Sequence, residues 1–113
     1  MSVLGRVVLV LGLLASPISV FAYGAIAVDD RVGIEPAYGF STGERSRQAA
    51  ERKALQYCKQ YGSNCRVVVW FETCGAYAAS KKVYGYGYGA TKTKATAQAL
   101  EMCGNNQCEV VDA

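Results

Sequence analysis

Histidine is missing from all 113 residues of this chain. Without it the commonest general base is gone, and Ser/His/Asp and Cys/His nucleophilic sites are excluded. An excess of charge of one sign is missing too. Twelve basic side chains stand against nine acidic ones, too even a balance for a nucleic-acid binder, whose footprint is a basic stripe. Arg45, Arg47, Arg52, Lys53 and Lys59 do cluster, but on a segment where the solvated face of a helix accounts for them. There is no unbroken apolar run of about 20 residues, the length a membrane-spanning helix needs. The run that begins at Val7 is broken by Gly12, Ser16, Pro17 and Ser19. The glycines of Tyr84 to Gly89, YGYGYG, are followed by no Lys-Ser/Thr pair in register, so they do not make a phosphate loop.

At the N-terminus, Met1 to Arg6 carries one positive charge, Val7 to Leu14 is apolar, and Val20-Phe21-Ala22 offers a cleavage site. This pattern is that of a secretory signal peptide over residues 1–22, with a retained membrane anchor as the alternative. No cysteine follows the apolar run, which gives no support to a lipid-modified N-terminus. Cleavage would leave residues 23–113, with a net charge of +2 once Arg6 is removed, exported to the periplasm or beyond and with no stable membrane anchor. Five cysteines in an exported chain of this length point to disulfides rather than to metal or redox chemistry. No cofactor is implied.

The remaining chain reads as a tandem repeat, 23–73 and 74–113, within a single domain. Ser46 to Val68, SRQAAERKALQYCKQYGSNCRVV, returns in shortened form as Thr91 to Val111, TKTKATAQALEMCGNNQCEVV. Each copy has an Ala-Leu pair, a cysteine three residues later, a polar loop, a second cysteine and two valines. The economical pairing is therefore Cys58 with Cys65 and Cys103 with Cys108, each stapling a helix end to the next strand. Cys74 is left over.

Each unit reads strand, strand, helix, strand. YGAIAV from Tyr23 and AYGFS from Ala37 are short strands, separated by a turn at Asp29, Asp30, Gly33 and Pro36. A helix follows from an N-cap at Ser46 to about Tyr61, with Ala50, Ala54, Tyr57, Cys58 and Tyr61 on its apolar face and Gly62 as its stop. Cys65 to Glu72, CRVVVWFE, is β-branched and aromatic and is expected to be the most buried strand. CGAYA from Cys74, then YGYGYG, a helix from Thr91 to Met102 ended by Gly104, and Cys108 to Val111 repeat the order. The predicted fold class is α+β: two ββαβ repeats forming an antiparallel sheet with two helices packed on one face. The alanines of the helices and the alternate glycines of the second strands permit close helix-on-sheet approach. Tyr38, Phe40, Tyr84, Tyr86 and Tyr88 then point the other way as an aromatic ladder.

The succession YGAIA, AYGFS, Ala-Leu-x-x-Cys, CRVVVWF, CGAYA, YGYGYG and a second Ala-Leu-x-x-Cys resembles the bacterial exported family called domain of unknown function 4189, over essentially all of residues 23–113. The resemblance implies a small, exported, disulfide-containing bacterial domain, of a kind found in proteobacteria and actinobacteria, and no particular chemistry. The family pattern includes a further strand and often a further cysteine near the C-terminus, where this sequence stops at VVDA.

Three groups of residues are candidates for function. Asp29 and Asp30 could pair with Glu35 or Glu44 as acid and base, against the plainer reading of a solvated turn. Cys74 could be a small buried residue in the slot of Tyr23, a bridge between chains, or a reactive thiol. Tyr84, Tyr86 and Tyr88, with Tyr38 and Phe40, offer apolar area with polar tips, suited to a protein partner or to sugar rings. The same tyrosines could instead form a small core or pack on the Asp29 to Pro36 loop. The function expected is a small exported, disulfide-stabilised, non-catalytic interaction domain with a protein partner, an inhibitor or immunity protein being the narrower case. Carbohydrate or peptidoglycan binding through the aromatic face is the alternative, and an enzyme using carboxylates or Cys74 comes last.

Overall fold

The computed structural model describes residues 22–31 and 33–113. The leader expected over residues 1–22 thus lies outside the described residues except for Ala22. Six strands and two helices follow in the order β1 (Tyr23–Asp29), β2 (Ala37–Glu44), α1 (Arg47–Cys58), β3 (Arg66–Phe71), β4 (Cys74–Ala79), β5 (Tyr84–Gly89), α2 (Lys92–Cys103) and β6 (Glu109–Asp112). The ββαβ unit is used twice, and every strand pairing is antiparallel.

Side-chain alternation builds each unit. In β1, Ala25 and Ala27 face α1, where they cluster with Ala50, Ala54 and Cys58. In β4, Ala76 and Ala78 likewise meet Ala95, Ala99 and Cys103 of α2. The helices start where a hydroxyl can take up a free N–H. Ser46 Oγ accepts from the Ala49 N–H, and Thr91 Oγ1 accepts from the Lys94 N–H, both at 3.1 Å. Glycine lets the helices sit low, because a Cβ on Gly39 would strike the Ala54 carbonyl and one on Gly85 the Ala99 carbonyl. Ser41 adds a polar tie between layers, donating to the Ala50 carbonyl at 2.7 Å and accepting from the Ala25 N–H at 3.1 Å.

The strands divide into two three-stranded sheets, of order β2-β1-β3 and β5-β4-β6. The α+β class and the antiparallel repeats agree with the sequence reading, and the division into two sheets is an added finding. Its cause lies in the second face of each central strand. Ile26 and Val28 of β1 and Tyr77 of β4 are too large and apolar to be left in water, and no helix covers them. They meet one another instead, with Phe71, in a third cluster flanked by Tyr38, Phe40, Val69, Tyr84 and Tyr86. The layers therefore run helix, sheet, sheet, helix. Phe71 fills the space beside Gly24 and Gly75, the equivalent glycines of the two central strands.

Three local expectations change. β3 is not the most buried strand: it lies at a sheet edge, with Phe71 alone fully buried, while β1 and β4 occupy the centres. Trp70 of β3 is covered by the Tyr23 ring at 6.2 Å and the Arg47 guanidinium at 4.7 Å. Helix α1 ends at Cys58, so Tyr61 lies beyond it and is 75% exposed, while Tyr57, inside its last turn, sits off the face that buries Ala50, Ala54 and Cys58 and is 40% exposed. Gly62 is not a left-handed cap, whereas Gly104, at φ 69°, is one. What demands glycine at 62 is Asp29, whose Oδ2 would lie 2.8 Å from an added Cβ.

Disulfides join Cys58 to Cys65 and Cys103 to Cys108, with Cα atoms 6.1 and 6.3 Å apart. Each ties the end of a helix to the approach of the last strand of its unit. Cys74 is free and half-buried.

Candidate functional site

The segment connecting β1 to β2 contributes Glu35 and Pro36 to the walls of two clefts. The carboxylates expected to work together are already committed there. Asp29 is buried. Its Oδ2 accepts the Ser63 and Asn64 N–H groups at 3.0 Å, and its Oδ1 accepts Arg31 Nε at 3.0 Å. The Arg31 guanidinium first, and the Asn64 N–H next, hold its pKa down to about 2. Asp29 is thus a brace between the β1 end and the disulfide loop rather than a proton donor. Asp30 Oδ2 accepts both Tyr84 Oη and Arg66 Nη2 at 2.8 Å. The Tyr84 hydrogen bond leads in lowering the Asp30 pKa. Burial first, and the bond to Asp30 second, push Tyr84 up to about 12. Glu44 pairs in register with Tyr23, at the far end of the sheet from the Asp29 and Ala37 pair.

The aromatic side chains do come together, in a row that crosses from one sheet to the other between Tyr38 and Tyr77 and continues within the second sheet. Tyr38 of β2 stacks on Tyr77 of β4 with ring centroids 4.4 Å apart, Tyr77 on Tyr84 at 6.1 Å, and Tyr84 on Tyr86 at 6.4 Å. Phe40 packs on Phe71 at 5.6 Å. Tyr38, Phe40, Tyr84 and Tyr86 are half-buried at the rim of the inter-sheet core, and Tyr88 is 54% exposed. Tyr77, which had no part in the sequence-based site, is the centre of the row. Its hydroxyl is buried without a hydrogen-bond partner among the described residues, and burial is the main cause that raises its pKa.

One cleft, of roughly 710 Å³, lies between the connecting segment and the β4–β5 turn and includes Asp30, Glu35, Lys81, Lys82 and Tyr84. The other, of roughly 560 Å³, is walled by Tyr38, Phe40, Tyr57 and Tyr61 with Glu35 and Asp112. Sequence reading missed Tyr57 and Tyr61. A signal was present in the repeat: counted from Cys58 and Cys103, Tyr61 corresponds to Asn106, a side chain for water. Along the free edge of β5, the Tyr88 N–H donates to Gln98 Oε1 at 2.8 Å and the Tyr86 N–H to Met102 Sδ at 3.5 Å. Side chains of α2 therefore blunt that edge against strand pairing. These four residues line a shallow cleft of roughly 550 Å³.

Cys74 Sγ lies 3.9 Å from the Ala90 carbonyl, against the alanine cluster under α2. Among the described residues no group of three or more Cys, Asp and Glu side chains has a metal-binding arrangement. No described helix is long and apolar enough to cross a membrane.

A family model described as Domain of unknown function (DUF4189) matches residues 23–113. No curated protein and no solved structure matches the chain.

Proposed function

The chain belongs to the family Domain of unknown function (DUF4189), and from that premise we propose that it is a small exported, non-catalytic domain that binds another protein. The observation that carries this reading is the set of outward tyrosines, Tyr57, Tyr61 and Tyr88, held on a scaffold with two disulfides. Each presents a rigid ring with few rotatable bonds, the kind of group that anchors protein interfaces. Engagement of Asp29 by Arg31, and of Asp30 by Arg66 and Tyr84, supports the non-catalytic part. An inhibitor or immunity role is the narrower form.

A photo-crosslinking residue placed at Tyr61 or at Tyr88 in living cells tests it. A discrete adduct from either position in the exported fraction, with none from exposed Thr93 on α2, is the expected result. Folded, exported protein that gives no adduct from either tyrosine overturns the reading. Carbohydrate binding is the second reading, favoured by Tyr88 beside Gln98, whose amide NH2 is left to donate. It requires Tyr88→Ala to lose retention on peptidoglycan while the fold persists; unchanged retention removes it.

A further inference from the structure

The cleft on the β2 side of the connecting segment differs from the rest of the surface in its charge. The chain as a whole is positive, +3 by formal count, yet none of the described residues that line this cleft is basic. The charged groups among its lining residues are two carboxylates, Glu35 and Asp112, and its walls are Tyr38, Phe40, Tyr57 and Tyr61. Burial first, and the neighbouring Asp112 charge second, raise the Tyr38 pKa, which keeps that phenol a neutral donor. Behind Tyr38, in stacking contact at 4.4 Å, lies Tyr77, a residue 1% exposed whose hydroxyl has no hydrogen-bond partner among the described residues.

Aromatic faces attract cations through the ring quadrupole, and a guanidinium does so best because its flat face can stack while its edge bonds a carboxylate in two places. A neutral aliphatic side chain would leave Glu35 and Asp112 desolvated, and an anion would be repelled by them. We propose that this cleft receives an arginine side chain of the protein partner, stacked among Tyr38, Tyr57 and Tyr61 and paired with Glu35 or Asp112. The proposal rests on the protein-binding reading above and names the chemistry the partner must present.

Titration of the oxidised protein with Nα-acetyl-arginine amide, followed by NMR of the aromatic rings, tests it. Saturable shifts are expected at Tyr38, Phe40, Tyr57 and Tyr61 and not at Tyr88, with no such shifts from Nα-acetyl-norleucine amide, of similar length but uncharged. Glu35→Gln combined with Asp112→Asn, both at the surface and tolerable to the fold, should weaken the arginine probe by about tenfold, the loss of one good contact. Tyr61→Ala should do the same. Equal shifts from the norleucine probe, no saturable shifts, or an affinity untouched by these variants would overturn the proposal. If crosslinking at Tyr61 or Tyr88 captures a partner while the arginine probe fails, this inference falls and protein binding stands. If the probe binds and no partner is captured, protein binding falls, and with it the assignment of the arginine to a partner, while the cleft's preference for a guanidinium stands.

Discussion

Substituting Gly39 by alanine puts the seating of helix on sheet to a direct test. The added Cβ would lie far inside contact distance of the Ala54 carbonyl oxygen, and 2.5 Å from the Cys58 nitrogen. Both are backbone atoms, so no side chain can rotate away and the helix itself must retreat. Retreat opens the contacts among Ala25, Ala27, Ala50 and Ala54, and a gap of about 0.5–1 Å already forfeits a quarter to a half of each. Overpacking of this kind costs typically about 1–3 kcal/mol, occasionally more. Replacing glycine returns only about 0.4–1 kcal/mol by restricting the unfolded chain. With backbone as the obstacle we take the upper end, a net loss of about 2–3 kcal/mol. For a domain of this size that lowers Tm by roughly 8–24 °C. Gly85 meets the corresponding Ala99 and Cys103 atoms, so Gly85→Ala should cost as much. Gly75→Ala meets the Phe71 ring instead, and Phe71→Leu should partly rescue it. Calorimetric melts of the single and double variants decide the matter. A Gly39→Ala protein that melts within about 2 °C of the parent, well under the shift expected for 1 kcal/mol, would refute the close seating.

Removing the Cys58–Cys65 disulfide, which spans seven residues, should cost about 2.5 kcal/mol, and removing Cys103–Cys108, which spans five, slightly less. Denaturant melts should rank them so, and a negligible loss from both would mean that the loops are restrained by other contacts. The pKa of Asp29 is depressed on folding to about 2 from an ordinary value of 3.8. Its contribution is therefore present above about pH 4 and lost as pH falls towards 2. An Asp29→Asn variant should lack this part of the acid transition; an unchanged slope of stability against pH would contradict the brace assigned to Asp29. Tyr77→Phe removes a buried hydroxyl that has no partner among the described residues and should leave stability unchanged or raise it by up to about 1 kcal/mol. A loss above that on thermal melting would show that the hydroxyl is satisfied in solution.

Much of the unit was legible because its determinants are local. Ser46 and Thr91 announce the helix starts, and Gly104 ends α2. Gly39, Gly85 and Gly87 mark the strand positions under the helices, and the cysteine spacing identifies both disulfides. The division into two sheets was not legible, because alternation tells which face of a strand carries Ile26 or Tyr77 but not what covers it. The same limit misplaced CRVVVWFE: β-branched and aromatic residues suit an edge strand as well as a central one, and Tyr23 and Arg47, which cover Trp70, lie far away in sequence. At the candidate site, Tyr38, Phe40, Tyr84, Tyr86 and Tyr88 were identifiable from their alternation with glycine. Asp29 was not recognisable as a brace, since its partners Ser63 and Asn64 are more than thirty positions away. Tyr57 and Tyr61 had the spacing of an apolar face, but the face that α1 buries is Ala50, Ala54 and Cys58, which leaves Tyr57 off it, and the helix ends before Tyr61.

The arginine cleft proposed at Tyr38 depends on two copies of one unit closing on each other through Tyr38 and Tyr77. Ring-to-ring nuclear Overhauser effects in the oxidised protein measure this directly. Contacts between Tyr77 and Tyr38, which belong to different repeats and stack at 4.4 Å, should be strong, with weaker ones between Tyr77 and Tyr84. Effects from the Tyr77 ring confined to its own repeat, with Tyr38 reporting only solvent and β2 neighbours, would contradict the face-to-face arrangement and the sites built on it.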